Sequence, residues 1–194
     1  MPLSPPAKRQ LLHLRDIELR GWQREDGLFD IEAHLLDRKT YAFENDDRGT
    51  MEPGAPLHGM WLRLTVDLDM VIVAAEASSD HTPYAICPGA APNFTRLAGL
   101  RIGPGFNRAV AERVGGTAGC THLRELLGQM ATVAFQTLYP IRAERERAET
   151  ERLMASGERP ARKPAMVGTC IAYAEDSPVT LARWPWLKDA VAGE

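Results

Sequence analysis

The residues best suited to chemistry crowd into one short stretch, Gly119-Cys120-Thr121-His122-Leu123-Arg124-Glu125. It opens the strongest amphipathic pattern in the chain, which predicts a helix from about Thr121 to about Met154. His122 falls in the first turn, where the positive end of the helix dipole opposes a cation. A lowered pKa and a neutral imidazole are therefore expected, the form that a general base requires. Glu125, one turn further on, is placed to hold that ring in a single tautomer. The competing role for His122 is capping or packing at the helix start. Cys120 stands at the helix entrance, where a thiol is acidified and can serve as a nucleophile; a small buried residue at that point is the plainer role. Thr121 forms no capping box, because Arg124 occupies the position where Glu or Gln is wanted.

One face of the same helix carries His122, Glu125, Gln129, Thr132 and Gln136 in steps of three and four. Amides and a histidine in a row suit a lined cavity, although every amphipathic helix also has a water-facing stripe. His58 begins a strand on the parity of Met60 and Leu62, which makes it either a satisfied core histidine or the rim of a site. A metal held by His58, His122 and a carboxylate such as Asp69 is an alternative, but no ligand pair has informative spacing. The expectation is no metal and no cofactor. Gly103-Pro104-Gly105 lacks a third glycine, since Arg108 stands there, and Pro104 removes an amide donor. No Gly-Lys-Ser/Thr and no G-x-S-x-G elbow occurs, which disfavours nucleotide use and serine hydrolysis.

These groups need a frame. Leu11 to Gly21, Phe29 to Leu35, His58 to Val66 and Met70 to Ala77 read as four strands of an antiparallel meander, with Phe29, Ile31, Ala33 and Leu35 on the dry face. Met60, Leu62, Leu64 and Val66 share a face that Trp61 and Arg63 do not. Tyr41 to Pro56 is expected as loop, and Phe94 to Leu100 and Asn107 to Val114 as short helical pieces. Leu123, Leu126, Leu127, Met130, Ala134 and Leu138 form the core stripe of the long helix, which Pro140 is expected to kink or break. Met166 to Tyr173 is predicted to be a last strand that returns to the sheet. The fold class is α+β, an antiparallel sheet packed on one long helix with short helices, as a single domain over 1–194. Residues 1–10 are expected to be a flexible arm and 142–165 an exposed charged helix and loop laced with ion pairs.

The chain has 194 residues and a net charge of −3, with no basic face asking for nucleic acid. No stretch approaches the ~20 apolar residues of a membrane span. Cys87, Cys120 and Cys170 are odd in number and widely spaced, which points to a reducing compartment, the cytoplasm, rather than a disulfide framework. A homodimer is the default expectation for such a chain.

The chain resembles a bacterial family known as domain of unknown function 2889. The resemblance rests on Arg24-x-Asp26-Gly27-x-x-Asp30-Ile31-Glu32-Ala33, on His58-x-Met60 leading to Leu64-x-Val66-Asp67, on Cys87, on Leu97-x-Gly99-Leu100, and above all on Gly119-Cys120-Thr121-His122-Leu123 followed by Glu125-Leu126. Similar sequences are associated with bacteria that degrade lignin-derived aromatic dimers, where small cofactor-free lyases release formaldehyde from a hydroxymethyl side chain. The resemblance thus implies a lyase acting on a small, phenylcoumaran-like aromatic substrate. In that role His122 is the base, Glu125 its orienter, and His58 the group at the departing phenolic oxygen. Gln129, Thr132 and Gln136 would bind ring substituents, with Cys120 and Met60 lining the pocket. Two other functions stay open: a non-catalytic ligand-binding or partner-binding protein, and a metal-dependent enzyme.

Overall fold

Alternation of apolar and polar residues produces the four long strands of the computed structural model, which describes residues 3–158 and 163–188. They are β1 (His13–Gln23), β2 (Phe29–Lys39), β5 (Pro56–Val66) and β6 (Ile72–His81). The sheet order is β1-β2-β5-β6 with every pairing antiparallel, the expected meander. The segment between β2 and β5, expected as loop, contains a small hairpin, β3 (Phe43–Asn45) and β4 (Gly49–Met51). Its turn is closed by Asn45 Oδ1, which accepts from the backbone N–H groups of Asp47 and Arg48.

After β6 a 3-10 helical stretch, Cys87–Leu97, leads to α1 (Phe106–Val114) and then α2 (Thr121–Ala155). The predicted stripe Leu123, Leu126, Leu127, Met130, Ala134 and Leu138 is fully buried. It shares one core with Phe29, Ile31, Ala33 and Leu35 of β2 and Met60, Leu62, Leu64 and Val66 of β5. Each buried Leu, Ile or Met of this layer contributes about 1.5–3 kcal/mol. The α+β class is therefore as the sequence predicts. Helix and sheet touch closely at Gly21, where a Cβ would lie 1.9 Å from Thr137 Oγ1.

Of the kink or break expected at Pro140, the break does not occur: helical structure continues through it, since a proline costs a helix one donor while its fixed φ suits helical backbone. Another expectation is corrected. Met166 to Tyr173 is not a strand. Its backbone donors close local turns, from Val167 to Pro164, Thr169 to Met166 and Gly168 to Tyr173, and Ile171 is 93% exposed. An apolar run with no strand beside it satisfies its backbone locally.

The chain forms two compact units, 1–140 and 141–194. In the second, the charged part of α2 carries the pairs Arg152–Glu149 at 2.7 Å and Arg147–Glu151 at 3.8 Å. Helix α3 (Pro178–Arg183) is capped by Ser177 Oγ, which accepts from Thr180 N at 3.1 Å. Residues 1–2 of the expected arm and 159–162 of the expected loop lie outside the described residues. Among the described residues no helix is long and apolar enough to cross a membrane.

Candidate functional site

Three neighbouring strands place a polar side chain where parity calls for an apolar one. On β2 the dry face runs Phe29, Ile31, Ala33, Leu35 and then Asp37, which is 1% exposed. Register sets Arg15 of β1 opposite Asp37, and Asp37 opposite His58 of β5. Arg15, Asp37 and His58 therefore form one row across the inner face. The β2–β5 ladder shifts register just past this row, between Asp37 and Arg38, as bulged strands do where a side chain is re-aimed.

The start of α2 lies over the row. A Cβ on Gly119 would sit 2.1 Å from Val114 O, so only glycine lets the chain turn tightly there into Cys120. Cys120 acts as the helix cap through its carbonyl, which accepts from Arg124 N at 3.0 Å. Its Sγ lies 3.9 Å from His122 Nδ1 and 3.9 Å from Met60 Sδ. The rings of His58 and His122 stack, centroids 3.9 Å apart and tilted by 32°.

Asp37 is the hub. Arg15 grips it through Nε to Oδ1 and Nη2 to Oδ2, both 2.8 Å, a bidentate pair. His58 Nδ1 lies 3.1 Å from Oδ2, His13 Nε2 3.3 Å from Oδ1, and His122 Nε2 3.9 Å from Oδ2. The last is ion-pair range and too long for a hydrogen bond. Because a carboxylate only accepts, His58 must carry its proton on Nδ1, which leaves Nε2 with a free lone pair.

The electrostatics follow from these contacts. Burial pushes the Asp37 carboxyl up, but the hydrogen bond and charge of Arg15 outweigh it, helped by His58 and His13, so it is held below its ordinary value. Burial and the charge of His122 lower His58. His122 moves the other way. Its contact with Cys120 raises it, against burial, and the charges on Cys120 and Asp37 add to the rise. The expectation of a lowered His122 is thus corrected: the contact with Cys120 outweighs burial and the charge of Arg15. Burial pushes the Cys120 thiol up, but His122 and the backbone N–H groups of Leu123 and His122 bring it down overall. Two stacked imidazoles cannot both be charged cheaply, so their titrations separate.

His58, His122, Cys120 and Met60 meet at this point. Met60 is 1% exposed and is spent on its contact with the thiol, so it offers no face for a ring to stack on. Glu125 does not orient His122; it reaches Arg15 Nη1 at 2.9 Å with its own side chain 51% exposed. The carboxylate beside His122 is Asp37, in ion-pair range of Nε2. Gln129, Thr132 and Gln136 are exposed on α2, and none of their contacts runs to the cluster. Asp69 sits in the turn before β6 and takes no part in the cluster. Trp61 faces away from Met60, stacked on His34 at 3.9 Å. A shallow groove on that outer face, lined by Glu32, Trp61, Arg63, Glu76 and Ser78, shares no residue with the cluster.

Asp37, His58 and His122 could also hold a metal ion, since one ligand atom from each lies within 4.8 Å of the others. The donor set suits zinc or another divalent ion. Against this, the Asp37 charge is already matched by a bidentate guanidinium, and a divalent cation would sit beside Arg15.

The family model described as "Protein of unknown function (DUF2889)" matches residues 13–136, and the chain belongs to that family. The match takes in Arg15, Asp37, His58, Cys120 and His122. No curated protein matches the chain, and no solved structure matches it.

Proposed function

We propose that this member of the DUF2889 family is an enzyme that works by acid–base chemistry without a cofactor, with His58 as base and His122 as acid. The observation that carries the reading is the stacked pair itself: two imidazoles 3.9 Å apart on one buried carboxylate, shifted in opposite directions. Groups pushed apart in this way are what a two-proton reaction requires. Asp37 fixes the His58 tautomer, and Arg15 keeps Asp37 ionised.

The substrate class is a phenylcoumaran-like aromatic dimer bearing a hydroxymethyl group, and the reaction is formaldehyde release. The para-phenol gives its proton to solvent and expels the aryl ether oxygen, which takes a proton from His122, and a quinone methide results. His58 Nε2 then removes the hydroxymethyl O–H proton. The carbon–carbon bond breaks, and its electron pair restores the aromatic ring as a phenolate, which takes a proton back from solvent. His58 releases its proton to solvent and His122 regains one, so both rings return to their starting states. A stilbene and formaldehyde leave, and no oxidant or reductant is needed. Against the sequence-based roles, base and acid have exchanged places, for the reasons given by their pKa shifts.

The test is formaldehyde release on mixing the protein with hydroxymethyl-bearing phenolic dimers. Release that is abolished in both His58→Gln and His122→Gln is expected. No release across such a panel, or full turnover in His58→Gln, overturns the reading. A second reading, a metal-dependent enzyme, rests on the ligand geometry of Asp37, His58 and His122. It predicts stoichiometric metal in protein purified without chelator, and activity lost to EDTA and restored by zinc.

A further inference from the structure

Cys120 transfers no proton in that acid–base scheme, yet it is not a passive cap. Its sulfur faces His122 Nδ1 at 3.9 Å, and the opposite nitrogen of the same ring, Nε2, lies 3.9 Å from Asp37 Oδ2. Thiol, imidazole and carboxylate therefore follow one another as in a nucleophile–base–orienter relay, with spacings somewhat loose, as is common before a ligand binds. Behind the sulfur stands Met60 Sδ, an apolar wall that offers no proton. The thiol is half-buried and the His122 side chain is 27% exposed, so the approach admits a small reactant. Cys170 is exposed and has no such surroundings, which makes it an internal reference.

We propose that Cys120 is a nucleophilic site for small aldehydes, at which the thiolate adds to the carbonyl carbon and His122 delivers the proton. The sulfur–carbon bond forms as the carbonyl π pair moves to oxygen. The proton that the thiol gives up to His122 Nδ1 passes to that oxygen, and a hemithioacetal results with His122 in its starting state. Nothing is oxidised or reduced, and the reverse steps restore both partners. An aldehyde fits better than an ester. Addition needs one nucleophile and one proton donor, the two groups that face each other, whereas acyl transfer also needs a leaving group protonated and a water activated. The inference does not depend on formaldehyde release by this protein: it concerns any small aldehyde supplied from outside.

The experiment alkylates the whole protein with iodoacetamide, with each cysteine read separately by mass spectrometry, in the presence of increasing formaldehyde and with no aromatic substrate. Half-protection of Cys120 is expected at roughly 10-fold lower formaldehyde than that of Cys170, about 1.4 kcal/mol of preference. In the absence of aldehyde, alkylation of Cys120 relative to Cys170 should slow by roughly 10-fold in His122→Ala, because the ring that takes the thiol proton is gone. Equal protection of the two cysteines overturns the proposal, as does alkylation of Cys120 that is indifferent to His122. The wild-type comparison decides alone should His122→Ala fail to fold.

Discussion

Two rows of charge cross the same sheet on opposite faces, and they behave differently because of what covers them. On the outer face Arg20, Glu32, Arg63 and Glu76 stand opposite one another across all four strands. Arg63 binds Glu32 at 2.7 Å and Glu76 at 3.4 Å, with its side chain 49% exposed. On the inner face Arg15, Asp37 and His58 make a similar row, but the start of α2 lies over it and Asp37 is 1% exposed. Water can take either partner of the outer row at small cost. In the inner row a carboxylate deprived of water must be satisfied by the protein, and the pairing holds Asp37 below and Arg15 above their ordinary values.

The largest test of this contrast is deletion of the two hubs. Asp37→Ala removes the partner of Arg15, His13 and His58 at once and should cost about 3–5 kcal/mol in urea unfolding, the usual penalty for breaking a buried ion pair. Glu32→Ala should cost about 1 kcal/mol or less, as exposed pairs do. Similar losses for both would mean that burial is not what separates the rows.

A second test concerns the cover itself. Gly21→Ala on the inner face drives a methyl group into Thr137 Oγ1, and that hydroxyl cannot swing away freely because it donates to Val133 O at 2.8 Å. A loss of about 1–3 kcal/mol in thermal or urea unfolding is expected, the cost of overpacking. Thr137→Ala in the same chain should recover most of it. An undiminished melting temperature in Gly21→Ala would show that helix and sheet are not held so closely.

The strands and the core stripe of α2 were legible because periods of two and 3.6 are written into single stretches of chain. The site was legible only where it, too, was local. Cys120 and His122 share one helix turn, and His58 opens a dry-face alternation. Asp37 lies one step beyond the alternation from Phe29 to Leu35, where the apolar residues that mark the dry face end. A carboxylate at the next position of the dry parity was the available signal. Arg15 carried no such signal, since its place beside Asp37 depends on register between two strands. Glu125 lies on the expected face of the helix but has another partner, because Arg15 of β1 reaches it at 2.9 Å. The polar stripe Gln129, Thr132 and Gln136 shows the limit of helical spacing: it says which residues share a face but not whether that face is covered. Met166 to Tyr173 failed for a related reason, since strand-like composition does not supply a partner strand.

A third test uses pH. His58 is lowered in the folded chain, so its contribution is present above the ordinary value of 6.5 and lost as pH falls through the folded value. His122 is raised, so its contribution is present below 6.5 and lost as pH rises through its folded value. The wild type should therefore lose stability on both sides of that point. Unfolding midpoints from about pH 5 to about pH 8 should show the acid limb flattened in His58→Gln and the alkaline limb flattened in His122→Gln. Because the charge of His122 is part of what lowers His58, the second variant should also shrink the acid limb somewhat. Identical profiles in all three proteins would remove the coupling on which the acid–base reading depends.

The smallest effect is the most direct measure of what cover does to a charge pair. A double-mutant cycle on Glu32 and Arg63 isolates their mutual interaction from the packing each makes alone. Two contacts from Arg63 to one carboxylate oxygen, at 2.8 Å and 2.7 Å, look strong on distance alone. Exposure argues otherwise, because both side chains keep water and give up rotamer freedom to meet, so a coupling of about 0.2–1 kcal/mol is expected, falling as salt is added. The same cycle on Arg15 and Asp37, at nearly the same distances, should give a larger coupling that salt hardly changes. If the outer pair matched the inner one, or if salt weakened both alike, distance rather than burial would be setting the strength of these pairs. The reset proton affinities around Asp37 would then need another cause.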